Sequence, residues 1–359
     1  MSQSKSTINN KLGKTLIPLV ILTSLFFILG FATWLNDPLI PFFELAFKLL
    51  PSQVYFVPFT FYIAYFVMAL PSTWVIEKVG YKNGVSVGLV VIALGAFMFY
   101  PAAEARTFLL FLVALFVMGT GLAILQTAAS PYIVVIGLRE STAARISVLG
   151  IANKLAGFIA PLVLTALVLS NMQQYTADKI AVLDLATKSA VLDSLALQLQ
   201  RPYLYMGAII LVLAALVKLS PLLEIDLDRD GKVLNQSVFI QKVNAFKYPQ
   251  LVLGVITLMV YLAAEVLAGD SIGGFRKQLG VYGENGDFYL KLASFTMTAM
   301  VIGYILGVTL IHKYVSQMTA LKTSGILGLI SALLITMISA TILIQLPDLP
   351  TLPLVIILI

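Results

Sequence analysis

The sequence contains no cysteine and a single histidine, His312. The first absence excludes a disulfide framework and a thiolate metal site. Together they leave a metal-dependent enzyme almost nothing to build a cluster from, and no paired carboxylates with a base stand out in their place. Charge is scarce as well, at 11% of residues, where a soluble domain carries about 25%. A chain with 60% hydrophobic residues and a mean hydropathy of +0.98 cannot cover a water-facing surface with polar groups. The lipid bilayer is the solvent that suits it. The net charge of +6 is therefore no sign of a nucleic-acid partner.

What is present is a series of long apolar runs. A helical span needs roughly 20 such residues, and nine segments qualify, near 15–36, 54–76, 83–102, 107–137, 143–170, 203–221, 250–272, 289–312 and 321–346. They are rich in Gly and Ala, which let helices approach closely in lipid, and none alternates as the strands of a membrane barrel do. The basic opening "MSQSKSTINNKLGK" resembles a signal peptide, but no A-x-A cleavage site follows it. The first segment is expected to be a retained helix. With the N-terminus cytoplasmic, Lys5, Lys11, Lys14, Lys78, Lys82, Arg139, Arg145 and the basic residues of the 224–248 segment fall on the inner side, in excess over those outside. Every Lys and Arg fits one polar end or the other except Lys154.

A polar break, "EIDLDRDGKVLNQSVFIQKVNAFKY", follows the sixth run. It divides the chain into an expected six-helix bundle at 1–221, a central cytoplasmic loop at 222–249 and a second bundle at 250–359. The second bundle stops shortly into a tenth run, "LPTLPLVIILI", so the reading expects three spans and the start of a fourth; a nine-span protein is the alternative. "DLDRDG" opens like a calcium loop, but its twelfth position is Ser237 and not Glu, so no metal is expected. Between the fifth and sixth runs, 172–201 repeats apolar residues at three and four, the pattern of a short amphipathic helix capping the bundle outside the membrane. His312, beside Lys313 at the inner end of the eighth run, reads as an interfacial residue.

The loop "STWVIEKVGYKNG" places Glu77 and Lys78 just before Gly80, with Lys82 after it. Charges at helix ends and a glycine for a tight turn suit a conformational gate. Polar groups at membrane depth are costly and usually face a bundle interior or a wet cavity. There are few. Asn36 and Asp37 end the first run, followed by Pro38 and Pro41, which cannot continue a helical ladder; the site reads either as an ion-coupling carboxylate in a cavity or as an interfacial acid. Gln126 offers an amide suited to paired hydroxyls, or serves as interhelical glue. Lys154, beside Asn153, needs a counter-charge, with Asp37 and Glu265 as the acids available, or else snorkels. Glu265 lies mid-run, and Asp270 precedes a glycine-rich break. Interruptions at matching places in two halves point to a transporter's binding site. Trp34, Tyr55, Phe59, Tyr62 and Tyr65 are belt residues or platforms for a sugar's apolar face.

"SLFFILGFATWLNDPLIPF", "ALPSTWVIEKVGYKNG", "GLAILQTAASPYI", "GIANKLAGFIAPL" and "EVLAGDSIG" together resemble the fucose/galactose/glucose symporter family of the major facilitator superfamily. The resemblance implies an all-α polytopic fold of six plus six helices, with the second bundle truncated here. It implies a secondary active transporter that imports a hexose, glucose or galactose foremost, by symport with H+ or Na+. It further implies a bacterial inner-membrane protein, monomeric, without cofactor and not an enzyme. N-acetylglucosamine and fucose permeases of the family are alternative readings, as is a membrane sugar sensor that no longer transports. In the family's proton-coupled fucose branch a span-one carboxylate is linked to sugar recognition and coupling, and Asp37 occupies its position. A span-four carboxylate is replaced here by Gln126. Asn153 matches a family asparagine, while Lys154 stands where a neutral residue is usual. The residues at membrane depth and the resemblance together point to Asp37, Lys154 and Glu265 for ion coupling, Asn36, Gln126, Asn153 and Asp270 for sugar contact, and Glu77, Lys78, Gly80 and Lys82 for gating.

Overall fold

The computed structural model describes residues 2–136, 142–164, 166, 185–220, 222, 248–270, 292–311 and 314–345. Among these residues every extended element is a helix, and an isolated bridge between Ile311 and Val315 is the sole β pairing. Lipid offers backbone groups no hydrogen bonds, so apolar runs of this length satisfy them internally as helices. One compact unit, Met1–Asn235, holds α1 (Ser2–Trp34), α2 (Asn36–Phe47), α3 (Pro51–Val54), α4 (Phe56–Val79), α5 (Tyr81–Glu104), α6 (Phe108–Val135), α7 (Thr142–Leu164), α8 (Leu185–Gln198) and α9 (Gln200–Leu219). A second unit, Gln236–Ile359, holds α10 (Pro249–Asp270), α11 (Leu292–Leu310) and α12 (Gln317–Gln345).

Among the described residues seven stretches are long and apolar enough to cross a bilayer, six in the first unit and Pro249–Val266 in the second. Shorter apolar stretches, Thr296–Leu310 in α11 and Met318–Leu334 in α12, overlap the other two expected spans, 289–312 and 321–346. Of the expected cap, residues 185–198 form α8, and residues 172–184 lie outside the described residues. Only Leu199 separates α8 from α9, and the apolar stretch runs through both, Ala190–Leu219. One face of α8 is buried through Leu192, Leu195 and Ala196 and lies against α2 and α5. Arg106, in the turn between α5 and α6, fixes it with an ion pair to Asp193 at 2.6 Å. The central loop, His312, Lys313 and the tenth run lie outside the described residues.

In lipid, helices are held by close packing rather than by escape from water, and the first unit shows the means. A Cβ placed on Gly88 of α5 would come within 2.7 Å of the Leu125 backbone nitrogen on α6, and one on Gly121 within 2.5 Å of the Ile92 nitrogen. Both glycines are thus required for the backbones to touch. At one end of the unit Phe99 stacks on Tyr203 of α9 at 3.7 Å, and Phe111 sits 5.3 Å from Phe99 and 5.0 Å from Phe43. This aromatic row ties α2 to α5, α6 and α9, with Phe42 and Phe43 fully buried.

The anchoring matters because α2 is the continuation of a broken helix. The ladder of α1 ends at Trp34, Leu35 forms a turn, and α2 restarts at Asn36. Pro38 and Pro41 lack the N–H that would bond the carbonyls four residues earlier, those of Trp34 and Asp37. The helical ladder is therefore interrupted next to an acidic residue.

Candidate functional site

In the first unit α7 lies against α1. Contact is closest at Gly30, where an added Cβ would collide with the Asn153 carbonyl. Here Asn153 donates its amide Nδ2 to the Phe26 carbonyl at 3.3 Å. One residue on, Lys154 is only 3% exposed, and its ammonium lies 4.4 Å from the centroid of the Trp34 ring. Trp34 is itself 4% exposed. Its buried indole N–H has no hydrogen-bond partner among the described residues. A cation over an indole face is stabilised by about 2 kcal/mol or more when desolvated. That offsets part of the cost of holding an ammonium among apolar helices.

Next to Trp34 on α1, Thr33 joins the same region to α4. Its Oγ1 donates to the Leu29 carbonyl at 2.7 Å, so in its side-chain hydrogen bond with Tyr65 the tyrosine hydroxyl is the donor. Three consecutive features thus meet at the last turn of α1: the Thr33–Tyr65 bond, the Trp34–Lys154 contact and the helix break. Asn36 and Asp37 are the first two residues of α2. Their side chains, and that of Asp270 at the end of α10, lie outside the described residues.

Gln126 is exposed on α6, and Ser130, one turn on, donates its hydroxyl to the Gln126 carbonyl at 2.7 Å. In the loop between α4 and α5, Gly80 adopts φ 82°, a backbone conformation that favours glycine. Glu77 and Lys78 are exposed there, whereas Lys82 reaches across the unit to donate to the Ser220 carbonyl at 2.7 Å. Ser220 caps α9, so the ammonium meets the negative end of that helix. Arg145, read from sequence as a loop charge, is 7% exposed. It donates Nε to the Ile133 carbonyl at 2.9 Å and a terminal nitrogen to Thr142 Oγ1 at 2.9 Å. It therefore fastens the end of α6 to the start of α7.

In the second unit Glu265 and Tyr261 stand one turn apart on α10 and are hydrogen-bonded, and Tyr261 also bonds Tyr304 of α11. Neither tyrosine was singled out from the sequence: Tyr261 shares a helix face with Glu265 by its spacing of four, whereas Tyr304 comes from another helix and left no local signal. No group of acids or histidines that could hold a metal ion occurs among the described residues.

Residues 22–359 match the Major Facilitator Superfamily. A glucose/galactose transporter of Brucella abortus biovar 1 (strain 9-941) is 34% identical over 313 residues, which is 87% of this chain and 71% of that one. The L-fucose-proton symporter of Escherichia coli (strain K12) is 31% identical over 318 residues, covering 87% and 72%. A crystal structure of a Major Facilitator Superfamily transporter, FucP, in the outward conformation superposes with a TM-score of 0.66 at 30% identity, over 84% of this chain and 73% of that one.

Proposed function

The chain belongs to the Major Facilitator Superfamily, and we propose that it is a secondary active transporter carrying a hexose inward, glucose or galactose foremost, together with a proton. The observation that carries this reading is the helix break at Leu35–Asn36, with Asp37 just beyond it and a buried ammonium against the ring just before it. An acid at a break between two anchored helices is a place to load and release a proton. In this account Asp37 is the proton carrier, and Lys154 supplies the counter-charge on the same turn of the bundle. The name of the fucose relative, a proton symporter, favours H+ over Na+ as the coupling ion. Glu265 balances charge in the second unit, while Asn36, Gln126, Asn153 and Asp270 contact sugar hydroxyls. Glu77, Lys78, Gly80 and Lys82 act in the gate. The names of the relatives favour a neutral hexose, and the fucose symporter keeps L-fucose as a second candidate. The reading further holds the protein to be a monomer of the bacterial inner membrane with its N-terminus cytoplasmic, and not an enzyme. It also holds that two bundles alternate access to one site.

The test uses membrane vesicles with an imposed pH gradient and a panel of D-glucose, D-galactose, L-fucose and N-acetylglucosamine. The expected result is accumulation of glucose or galactose, with external alkalinisation on sugar addition and no dependence on sodium. Binding of a sugar without exchange would instead assign the protein as a sensor.

A further inference from the structure

We infer that Trp34 is the positioning residue for Lys154: its ring face fixes the buried ammonium beside the helix break. The inference deepens the proposed function and rests on it for what the ammonium is used for, but not for the contact itself.

Three observations carry it. Both side chains are more than nine-tenths buried, so the ammonium has left bulk water and must be stabilised by what surrounds it. The ring centroid is 4.4 Å from Nζ, inside the range in which an aromatic quadrupole attracts a cation, and indole is the strongest aromatic partner. The ring is also held on a defined element. Thr33, its neighbour, is bonded to Tyr65 of α4, and Gly30, one turn earlier, seats α1 against Asn153, the neighbour of Lys154. The two helices are thus registered so that Trp34 faces Lys154, at the last turn of α1 before its ladder stops.

A ring chosen only to fill space would be replaceable by any large apolar side chain; a ring that holds a cation is replaceable only by another aromatic. Trp34→Phe should keep most hexose accumulation, and Trp34→Leu should reduce it roughly five- to thirtyfold, the range for losing a desolvated cation–π contact. Lys154→Met, which also removes the counter-charge, should reduce it at least as much, and the double variant Trp34→Leu/Lys154→Met should lose no more than Lys154→Met alone. Leucine and phenylalanine serving equally, or losses that multiply in the double variant, would overturn the inference.

A second readout does not require transport. The chain has two tryptophans, and the other, Trp74, is exposed on α4. In a Trp74→Phe background the emission of purified protein reports Trp34 alone. An ammonium on the ring face perturbs the excited indole, so Lys154→Met should shift or brighten the emission, and Lys154→Arg, which keeps a cation, should not. Unchanged emission in Lys154→Met refutes the contact. If the wild type moves no hexose but the emission responds as stated, the functional reading fails and the assignment of Trp34 stands.

Discussion

Lys154 is the residue at which composition and structure bear most directly on each other. It lies well inside an apolar run in the sequence and is buried against Trp34 in the fold. Its neighbour Asn153 acts differently. The Asn153 amide nitrogen is given to the Phe26 carbonyl, so it holds α1 against α7 at the same time as it is proposed to meet sugar. Interhelical bonds of this kind contribute about 0.6 kcal/mol on average in a membrane. Asn153→Ala should therefore lower thermal stability only slightly; a large loss of melting temperature in detergent would contradict this weak bond. Gly30 is more sensitive. Any side chain there meets the Asn153 backbone, and overpacking costs about 1–3 kcal/mol. Gly30→Leu should lower the melting temperature clearly and remove transport, and normal melting would show that α1 and α7 do not touch there.

At the scale of elements, the helices were legible because the bilayer imposes one rule on every span: long, apolar and internally hydrogen-bonded. The break after Trp34 was legible too, since Pro38 and Pro41 announce it. What escaped were partners far apart in sequence. Nothing in "GFATWLNDP" pointed to Lys154 as the cation for Trp34, nor in "FYIAYF" to Tyr65 as the donor to Thr33. Arg145 was hidden by its position, because an arginine beside a loop reads as a topology signal, whereas its guanidinium is spent on the end of α6. The α8 segment was read as an outer cap, and its close abutment to α9 was not visible in a periodicity of three and four. Its ion pair, Arg106–Asp193, is 30% and 49% exposed at the two side chains. Exposed pairs contribute at most about 1 kcal/mol. A double-mutant cycle with Arg106→Gln and Asp193→Asn should give a coupling below that value, vanishing in high salt. A larger, salt-independent coupling would mean that α8 shields the pair from solvent.

At the scale of the whole chain, the two units carry two acidic centres in different surroundings: Asp37 at a helix break in the first, Glu265 within a tyrosine network in the second. Coupling is proposed for the first. The most direct measurement compares wild type and Asp37→Asn in the same vesicles, by accumulation of labelled galactose under an imposed pH gradient and by counterflow with no gradient. The variant is predicted to lose accumulation while retaining measurable counterflow, because the sugar still exchanges but no proton is carried with it. Gradient-driven accumulation at the wild-type level in Asp37→Asn would contradict the assignment.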